Sequence, residues 1–174
     1  MSLRTKAAAA AVALALGGSV AVSATPASAN ASGGVVHGTG VAWDDWNDEG
    51  PISQSSYAHS NVAAMWQAIL WADGQLSSTA AIDCRFGPAT AAATRTWQAD
   101  HGTASDGIVG SDTLARASGQ LSGTPGSGNR ISYEGRASGR YVTFTRTDDG
   151  RWGMYVGNDL RTLWYTEATF SACA

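Results

Sequence analysis

The sequence predicts an α+β fold, in which a three-helix bundle precedes a small antiparallel β-sheet module. Two changes of pattern along the chain support this prediction. Apolar residues recur every three or four positions from Val62 to Leu70, which is typical of an amphipathic helix. From residue 129 onward, apolar and polar residues alternate in short runs, which is typical of half-buried strands. Residues 119–128 are rich in Gly, Ser and Pro and are predicted to be a linker.

The first 29 residues are predicted to be a secretory signal peptide. Arg4 and Lys6 precede an Ala-rich apolar run, and residues 27–29 (Ala-Ser-Ala) form a small-x-small cleavage site. A membrane anchor is the alternative, but the apolar run is shorter than the roughly 20 residues that a span requires. We therefore expect a secreted, extracellular protein, cleaved after about Ala29, with no membrane segment once the signal is removed.

The charge balance excludes some classes of function. The chain has 11 basic and 14 acidic residues, and two of the basic residues, Arg4 and Lys6, belong to the predicted signal. The remainder is acidic and contains no lysine. Nucleic-acid binding requires a basic surface, so we expect no nucleic-acid partner. The lack of lysine also excludes Schiff-base chemistry in the mature chain.

The two cysteines, Cys84 and Cys173, predict a disulfide, because an even number of cysteines in an exported protein is typical of paired thiols. Closing a loop of about 90 residues would stabilise the fold by roughly 4–5 kcal/mol in the chain-entropy model. The alternative is a nucleophilic Cys84. A reactive cysteine needs a nearby base, and none is close in sequence.

Two stretches, residues 83–90 and 106–113, share the pattern Asp-x-x-(Phe/Val)-Gly-x-x-Thr. Each is predicted to be a turn that begins a helix. The Asp side chain can bond its own backbone within the turn, and the Gly permits a conformation that other residues resist. Pro88 suits the first turn of a helix.

These signals place three helices. The first is capped by Ser60 or Asn61 and ends near Gly74. The second runs from about Pro88 to Asp100, and the third from Ser111 to about Ser118. On the second helix we expect four residues to face inward: Ala89, Ala92, Ala93 and Trp97.

The helical domain is assigned to residues 60–118, the β module to residues 129–174, and an extended lead-in to residues 30–59. The lead-in carries an acidic patch with Trp43 and Trp46. These two tryptophans either belong to an ordered strap on the domain or form a platform on which a sugar could stack.

Residues 61–117 resemble the small three-helix peptidoglycan-binding domains (peptidoglycan binding domain 1). The resemblance lies in the order and separation of four elements. They are Trp66-Gln67-Ala68-Ile69-Leu70, Asp83 to Thr90, Ala93-Thr94-Arg95-Thr96-Trp97-Gln98, and Asp106 to Leu114. Cys84 departs from the family pattern, which has Gly at this place in the first turn.

The resemblance implies non-catalytic attachment to the glycan or stem peptide of bacterial peptidoglycan, and hence a cell-wall associated protein. It also implies that most motif residues are structural. These are Gln67, Asp83, Phe86, Gly87, Thr90, Trp97, Gln98, Asp106, Gly107, Gly110 and Thr113. Trp66 is expected in the core as well.

Ligand contacts are expected at four positions. Trp71, if exposed, could stack on a sugar face, and Arg85 could bind a stem-peptide carboxylate. The helix starts at Pro88 and Ser111 offer backbone N–H groups to carbonyls or carboxylates.

No pattern of an enzyme is recognised, and no cofactor or metal is expected. The histidines are isolated in sequence and form no zinc-ligand motif: His37, His59 and His101. Asp148 and Asp149 are predicted in a hairpin turn. Glu134 and Glu167 lie in predicted strands and could face each other as a glycosidase pair.

The sequence thus favours a secreted, monomeric, non-catalytic peptidoglycan-binding protein. One alternative is a small secreted wall hydrolase or effector with an unrecognised site in the β module. Another is a secreted interaction or inhibitor protein that reuses the fold, with a protein partner for the β module. Arginines of this module could contact acidic polymers or form a solvated face: Arg130, Arg136, Arg140, Arg146 and Arg151.

Overall fold

The computed structural model describes residues 30–123 and 130–173. The predicted signal peptide and residues 124–128 of the predicted linker lie outside these ranges. Within the described ranges, no helix combines the length and apolar character needed to cross a membrane.

The three predicted helices are present as α1 (Asn61–Ala72), α2 (Pro88–His101) and α3 (Ser111–Ser118). Ser60 caps α1, and its side-chain oxygen accepts a hydrogen bond from the Ala63 N–H at 3.1 Å. Gly102 ends α2 in the left-handed conformation, with φ of 73°. The local start and stop signals in the sequence therefore predicted the helix bounds well.

Helix α1 lies at the centre of the molecule. Every residue of α1 except Trp71 is buried, because the helix packs against α2 as well as against the sheet. Its sequence is apolar on nearly all sides, as expected for a helix that is surrounded by protein. The helical part and the sheet therefore share one hydrophobic core.

The predicted antiparallel sheet is a five-stranded meander in which each strand pairs with the next along the chain. The strands are β1 (Leu121–Gly123), β2 (Arg130–Glu134), β3 (Tyr141–Arg146), β4 (Trp152–Val156) and β5 (Asp159–Thr162). Together with the helices it confirms the α+β class. Strand β1 falls within the predicted linker, where Leu121 pairs with Tyr133. This short edge strand contains no alternating apolar residues that could have revealed it.

One face of the sheet packs on α1. The buried residues alternate along the strands, as predicted for half-buried strands: Ile131, Tyr133, Val142, Phe144, Trp152 and Met154. The opposite face of β3 carries Tyr141, a residue that is 61% exposed.

The lead-in is an ordered strap across the β module. Val36 donates to Leu163 O at 3.0 Å and accepts from the Trp152 N–H at 3.0 Å. Trp46 is fully buried and meets Phe144 edge to face, with ring centres 5.2 Å apart. Burial removes Trp46 from any role in sugar stacking, whereas Trp43 is half-buried against the core.

The prediction for the inner side of α2 was wrong at Ala89 and Ala92, which are exposed. The buried residues of α2 are Thr90, Ala91, Thr94, Trp97, Gln98 and His101. Polar side chains can occupy this face because they have partners there. Thr94 Oγ1, for example, accepts a 2.8 Å hydrogen bond from Trp66 Nε1.

Candidate functional site

The first Asp turn is held by Gln67 of α1. Gln67 Nε2 donates to Asp83 Oδ1 at 2.7 Å and to the Arg85 carbonyl at 3.0 Å. Thr90 Oγ1 lies 3.2 Å from the same nitrogen, and Gln67 Oε1 accepts from the Cys84 N–H at 2.9 Å. As predicted, Asp83 also bonds its own turn, through the Arg85 N–H at 2.9 Å.

The second Asp turn is held in the same way by Gln98 of α2. Gln98 Nε2 donates to Asp106 Oδ1 at 3.0 Å, to the Ile108 carbonyl at 2.9 Å and to Thr113 Oγ1 at 3.1 Å. Gln98 Oε1 accepts from the Gly107 N–H at 2.9 Å. The repeated sequence pattern is therefore a repeated hydrogen-bond network.

The residue after each Asp adopts the left-handed conformation, with φ of 64° at Cys84 and 78° at Gly107. Cys84 stands where the family pattern has Gly, and it keeps the backbone conformation that Gly would adopt. Its predicted disulfide to Cys173 is confirmed. The bridge joins the first turn to the segment that follows the sheet, so it links the helical part to the end of the chain.

Glycines cap the two helices that the turns begin. Gly87 precedes α2 and Gly110 precedes α3, and no side chain of a described residue caps either of them. Pro88 is exposed at the first position of α2, and Ser111 is half-buried at the first position of α3.

Of the four predicted ligand residues, Trp71 alone is among the described residues that line a groove between α1 and the sheet. Arg85 is exposed at the first turn, three residues before Pro88 in the chain, and Ser111 belongs to the second turn. Trp71 is half-buried and lines this groove, whereas Arg85, Pro88 and Ser111 do not line it.

This groove has a volume of about 770 Å³ and lies between α1 and the sheet. Ala68 and Trp71 of α1 form one side with Ile82. The first residues of β3 and the last residues of β4 form the other: Tyr141, Val142, Thr143, Tyr155 and Val156. The volume lies within the range of ligand pockets, roughly 300–1,000 Å³.

The groove opens where β3 and β4 separate. Their backbone pairing covers three residue pairs and stops at Phe144 and Met154. Tyr141–Thr143 remain paired with β2, and Tyr155 and Val156 remain paired with β5. Each strand therefore keeps one partner and turns its other edge toward the groove.

Two arginine–aromatic pairs flank the groove. The guanidinium carbon of Arg130 lies 5.3 Å from the ring centre of Tyr155, and that of Arg140 lies 5.3 Å from Trp71. Arg140 also donates to the Trp71 carbonyl at 2.9 Å, which fixes its position. Among the residues that the structure describes, none that lines the groove carries a carboxylate.

Sequence reasoning missed Tyr141 and Tyr155 as candidate site residues, and it considered Arg130 only as one of five arginines that could contact acidic polymers. The alternating pattern does place Tyr141 opposite the buried Val142, which is a signal of exposure. The separation of β3 from β4 has no such signal, because pairing depends on residues that are distant in sequence.

A buried carboxylate joins the helical part to the sheet. Asp73 caps the end of α1 and accepts hydrogen bonds from Trp97 Nε1, from Tyr133 Oη at 2.6 Å and from the Arg136 N–H at 2.8 Å. Burial, together with the hydrogen bond to Asp73, raises the pKa of Tyr133 well above its ordinary value.

Several arginines of the β module hold parts of the protein together. Arg146 Nε bonds the buried Asp45 of the strap at 2.6 Å. Arg136 donates to the Asp100 carbonyl at 3.3 Å. Arg151 is exposed and pairs with Asp149 at 3.2 Å. The arginines therefore do not form one uniform face toward solvent.

Two of the histidines considered as zinc ligands contact neighbouring groups of the protein. His101 stacks on Trp97, with ring centres 3.8 Å apart, and His37 Nε2 lies 2.6 Å from the Asp149 carbonyl. Residues 30–123 and 130–173 contain no group of three or more His, Cys, Asp or Glu side chains placed to hold a metal.

Glu134 and Glu167 do not face each other. The Glu167 carbonyl accepts from Asn61 at the start of α1, whereas Glu134 lies close to the end of α1, where Ala137 donates to the Ala72 carbonyl. A helix of this length separates its ends by roughly 16 Å. This distance exceeds the separation that a glycosidase pair requires, about 5–9.5 Å.

Comparison with known families bears on the helical part. Residues 59–116 match the profile of a family described as a putative peptidoglycan binding domain. The matched segment contains α1, both Asp turns and nearly all of α3. The resemblance seen in the sequence is thereby confirmed. No curated protein and no solved structure matches the chain significantly.

Proposed function

We propose that this protein, whose residues 59–116 match the putative peptidoglycan binding domain family, is a secreted, monomeric, non-catalytic cell-wall binding protein. The proposal rests on one observation: the segment that matches the family contains both hydrogen-bonded Asp turns, and both networks are complete. In each network the Gln, the Asp and the Thr are all engaged. The segment therefore retains the internal framework of a folded domain.

The side chains with catalytic potential support a non-catalytic role. Cys84, the one cysteine within the matched segment, is bonded to Cys173 and therefore has no thiolate to act as a nucleophile. His101 is buried against Trp97. The disulfide also supports secretion, because such bonds persist in oxidising compartments. Among the described residues, the exposed large apolar side chains are few: Val41, Ile108, Tyr141 and Leu160. This favours a monomer.

Sedimentation with purified peptidoglycan sacculi tests the proposal. The oxidised chain from residue 30 onward is mixed with sacculi, the sacculi are sedimented, and both the pellet and the turbidity are assayed. We expect protein in the pellet and constant turbidity. Insoluble chitin serves as a control, because it offers a related glycan without stem peptides.

Two results would contradict the proposal. Protein that stays in the supernatant would remove wall binding and favour a protein partner instead. Loss of turbidity would show a wall hydrolase, and the β module would then be searched for its catalytic residues.

A further inference from the structure

We propose that the groove between α1 and the separated strands β3 and β4 binds an extended, carboxylate-bearing peptide, namely the stem peptide of peptidoglycan. The inference rests on the proposed function, since it names the part of the wall that this groove would recognise. It concerns residues of the β module, which lie outside the segment that matches the family.

The first argument is the state of the strand edges. The last backbone pair between β3 and β4 is Phe144 with Met154. The next pair in this register would be Thr143 with Tyr155, and these two residues are not paired. A strand edge presents backbone N–H and C=O groups that need partners. An extended peptide can supply these partners by adding along the edge, which is an established mode of peptide recognition.

The second argument is charge. The whole chain carries a formal net charge of −3, yet the described residues that line the groove include Arg130 and no carboxylate. Arg130 is exposed and forms no salt bridge with any residue of the described ranges. Its guanidinium is therefore available to a carboxylate of a ligand, with which it can form two parallel hydrogen bonds.

The third argument is size and surface. The volume of about 770 Å³ suits a short peptide and is too small for a folded partner. Trp71, Tyr141 and Tyr155 supply flat apolar surface along the groove. Such surface can cover the aliphatic side chains of a bound peptide.

The test measures binding of the oxidised chain from residue 30 onward to two soluble probes by calorimetry. The probes are disaccharide–peptide fragments released by a muramidase and glycan strands from which an amidase has removed the peptides. Two variants address the groove. Arg130→Ala removes the cation, and Ala80→Trp fills the groove from an exposed lining position.

Each variant has a matched control. Arg151→Ala removes another exposed arginine, and Ala92→Trp adds the same bulk on the exposed side of α2. Thermal unfolding of all four variants confirms that they are folded. We expect each groove variant to weaken fragment binding by roughly tenfold or more. Arg130→Ala removes the hydrogen bonds from a charged group to the ligand carboxylate, and Ala80→Trp occupies the space that the peptide would fill. The controls should bind like the wild type.

The outcomes separate this inference from the proposed function. If sacculi and fragments bind but the groove variants bind them as tightly as the wild type, the groove proposal fails and the proposed function stands. Equal binding of peptide-free glycan strands would also overturn the groove proposal, because it would assign recognition to the sugar. If the wild type binds neither sacculi nor fragments, both proposals fail.

Discussion

Gln67 of α1 and Gln98 of α2 hold equivalent places in two copies of one hydrogen-bond network. The amide nitrogen of each lies within 3.2 Å of an Asp carboxylate, a turn carbonyl and a Thr hydroxyl. The amide oxygen of each accepts the N–H of the residue that follows the Asp. One side chain therefore fixes both the shape of a turn and its position on the preceding helix.

The first prediction concerns this network. Gln98→Ala would leave the buried Gly107 N–H without its acceptor and the Asp106 turn without its donor. We expect the free energy of unfolding to fall by about 2–4 kcal/mol, since each unpaired buried group costs about 1–3 kcal/mol. Urea denaturation followed by tryptophan fluorescence measures the change.

Gln54→Ala is the matched control for Gln98→Ala, because Gln54 is exposed. A change within about 0.5 kcal/mol is expected for it. A Gln98→Ala variant as stable as this control would show that the network does not stabilise the fold.

The second prediction concerns the backbone at Cys84. Replacing both cysteines removes the disulfide between residues that are 89 positions apart in the sequence. The chain-entropy model expects a loss of about 4–5 kcal/mol. Because φ is 64° at Cys84, the pair Cys84→Gly and Cys173→Ala should be more stable than Cys84→Ala and Cys173→Ala by about 1 kcal/mol.

Denaturation of the two double variants under identical conditions checks this ranking. Gly107→Ala serves as a second measurement at the equivalent position, where φ is 78° and a Cβ would lie 3.0 Å from the Ala91 carbonyl. It should also be destabilised. If alanine and glycine were equally stable at residue 84, the left-handed conformation there would carry no cost.

The third prediction concerns Asp73. Asp73→Ala would leave Tyr133 Oη and Trp97 Nε1 without their shared acceptor in the core. We expect a loss of roughly 3 kcal/mol or more in the free energy of unfolding. Asp148→Ala, in an exposed turn, should change it by less than about 0.5 kcal/mol. Equal effects of the two substitutions would contradict the role of Asp73 as a joint between α2 and the sheet.

Local signals in the sequence predicted the helical part. Ser60 as a cap, the two Asp turns and Pro88 at a helix start depend on residues close in the chain, so the pattern alone was sufficient. The Cys84–Cys173 bridge followed from the cysteine count. The alternation in the β module predicted its antiparallel strands in the same way.

Features that depend on distant partners could not be predicted. Asp45, in the acidic patch of the lead-in, is buried because Arg146 neutralises it and Trp152 Nε1 donates a hydrogen bond to it. Thr90 and Thr94 face the core because Gln67 and Trp66 offer them partners. The groove likewise arises because β3 and β4 separate. The pattern of residues within one strand does not show where its pairing with a neighbouring strand ends.

The fourth prediction concerns tyrosine ionisation. Burial raises the pKa of both Tyr133 and Tyr165 well above the ordinary value of 10.0, and their neighbours Asp73 and Glu49 add to the effect. A raised folded-state pKa means that stability is present below pH 10 and is lost as the pH rises above it. In a tyrosinate absorbance titration, two of the five tyrosines should ionise only as the protein unfolds. Tyr133→Phe should halve the absorbance change that accompanies unfolding. If this change stayed the same in the variant, Tyr133 would not be one of the two late-ionising tyrosines.

The fifth prediction concerns Glu49 of the strap. Its carboxylate accepts from Tyr165 Oη at 2.7 Å and from the His37 N–H at 3.0 Å, but burial outweighs these bonds and raises its pKa above the ordinary value of 4.5. The folded state then binds more protons than the unfolded state above pH 4.5. Linkage requires that the contribution of Glu49 be complete below pH 4.5 and be lost as the pH rises through the folded-state pKa.

Glu49→Gln removes this titration while keeping a side chain of the same size. The free energy of unfolding of the variant, minus that of the wild type, should therefore increase as the pH rises from 4.5 toward 7, and urea denaturation at several pH values measures it. A hydrogen bond from Thr147 lowers the pKa of Asp149, and one from the Ser171 N–H lowers the pKa of Asp159. The stability that these two carboxylates contribute is lost only below about pH 3.8. It cancels when the two free energies are subtracted, because both proteins contain Asp149 and Asp159. A difference that stays constant with pH would mean that the strap carboxylate is as well solvated in the folded protein as in the unfolded chain.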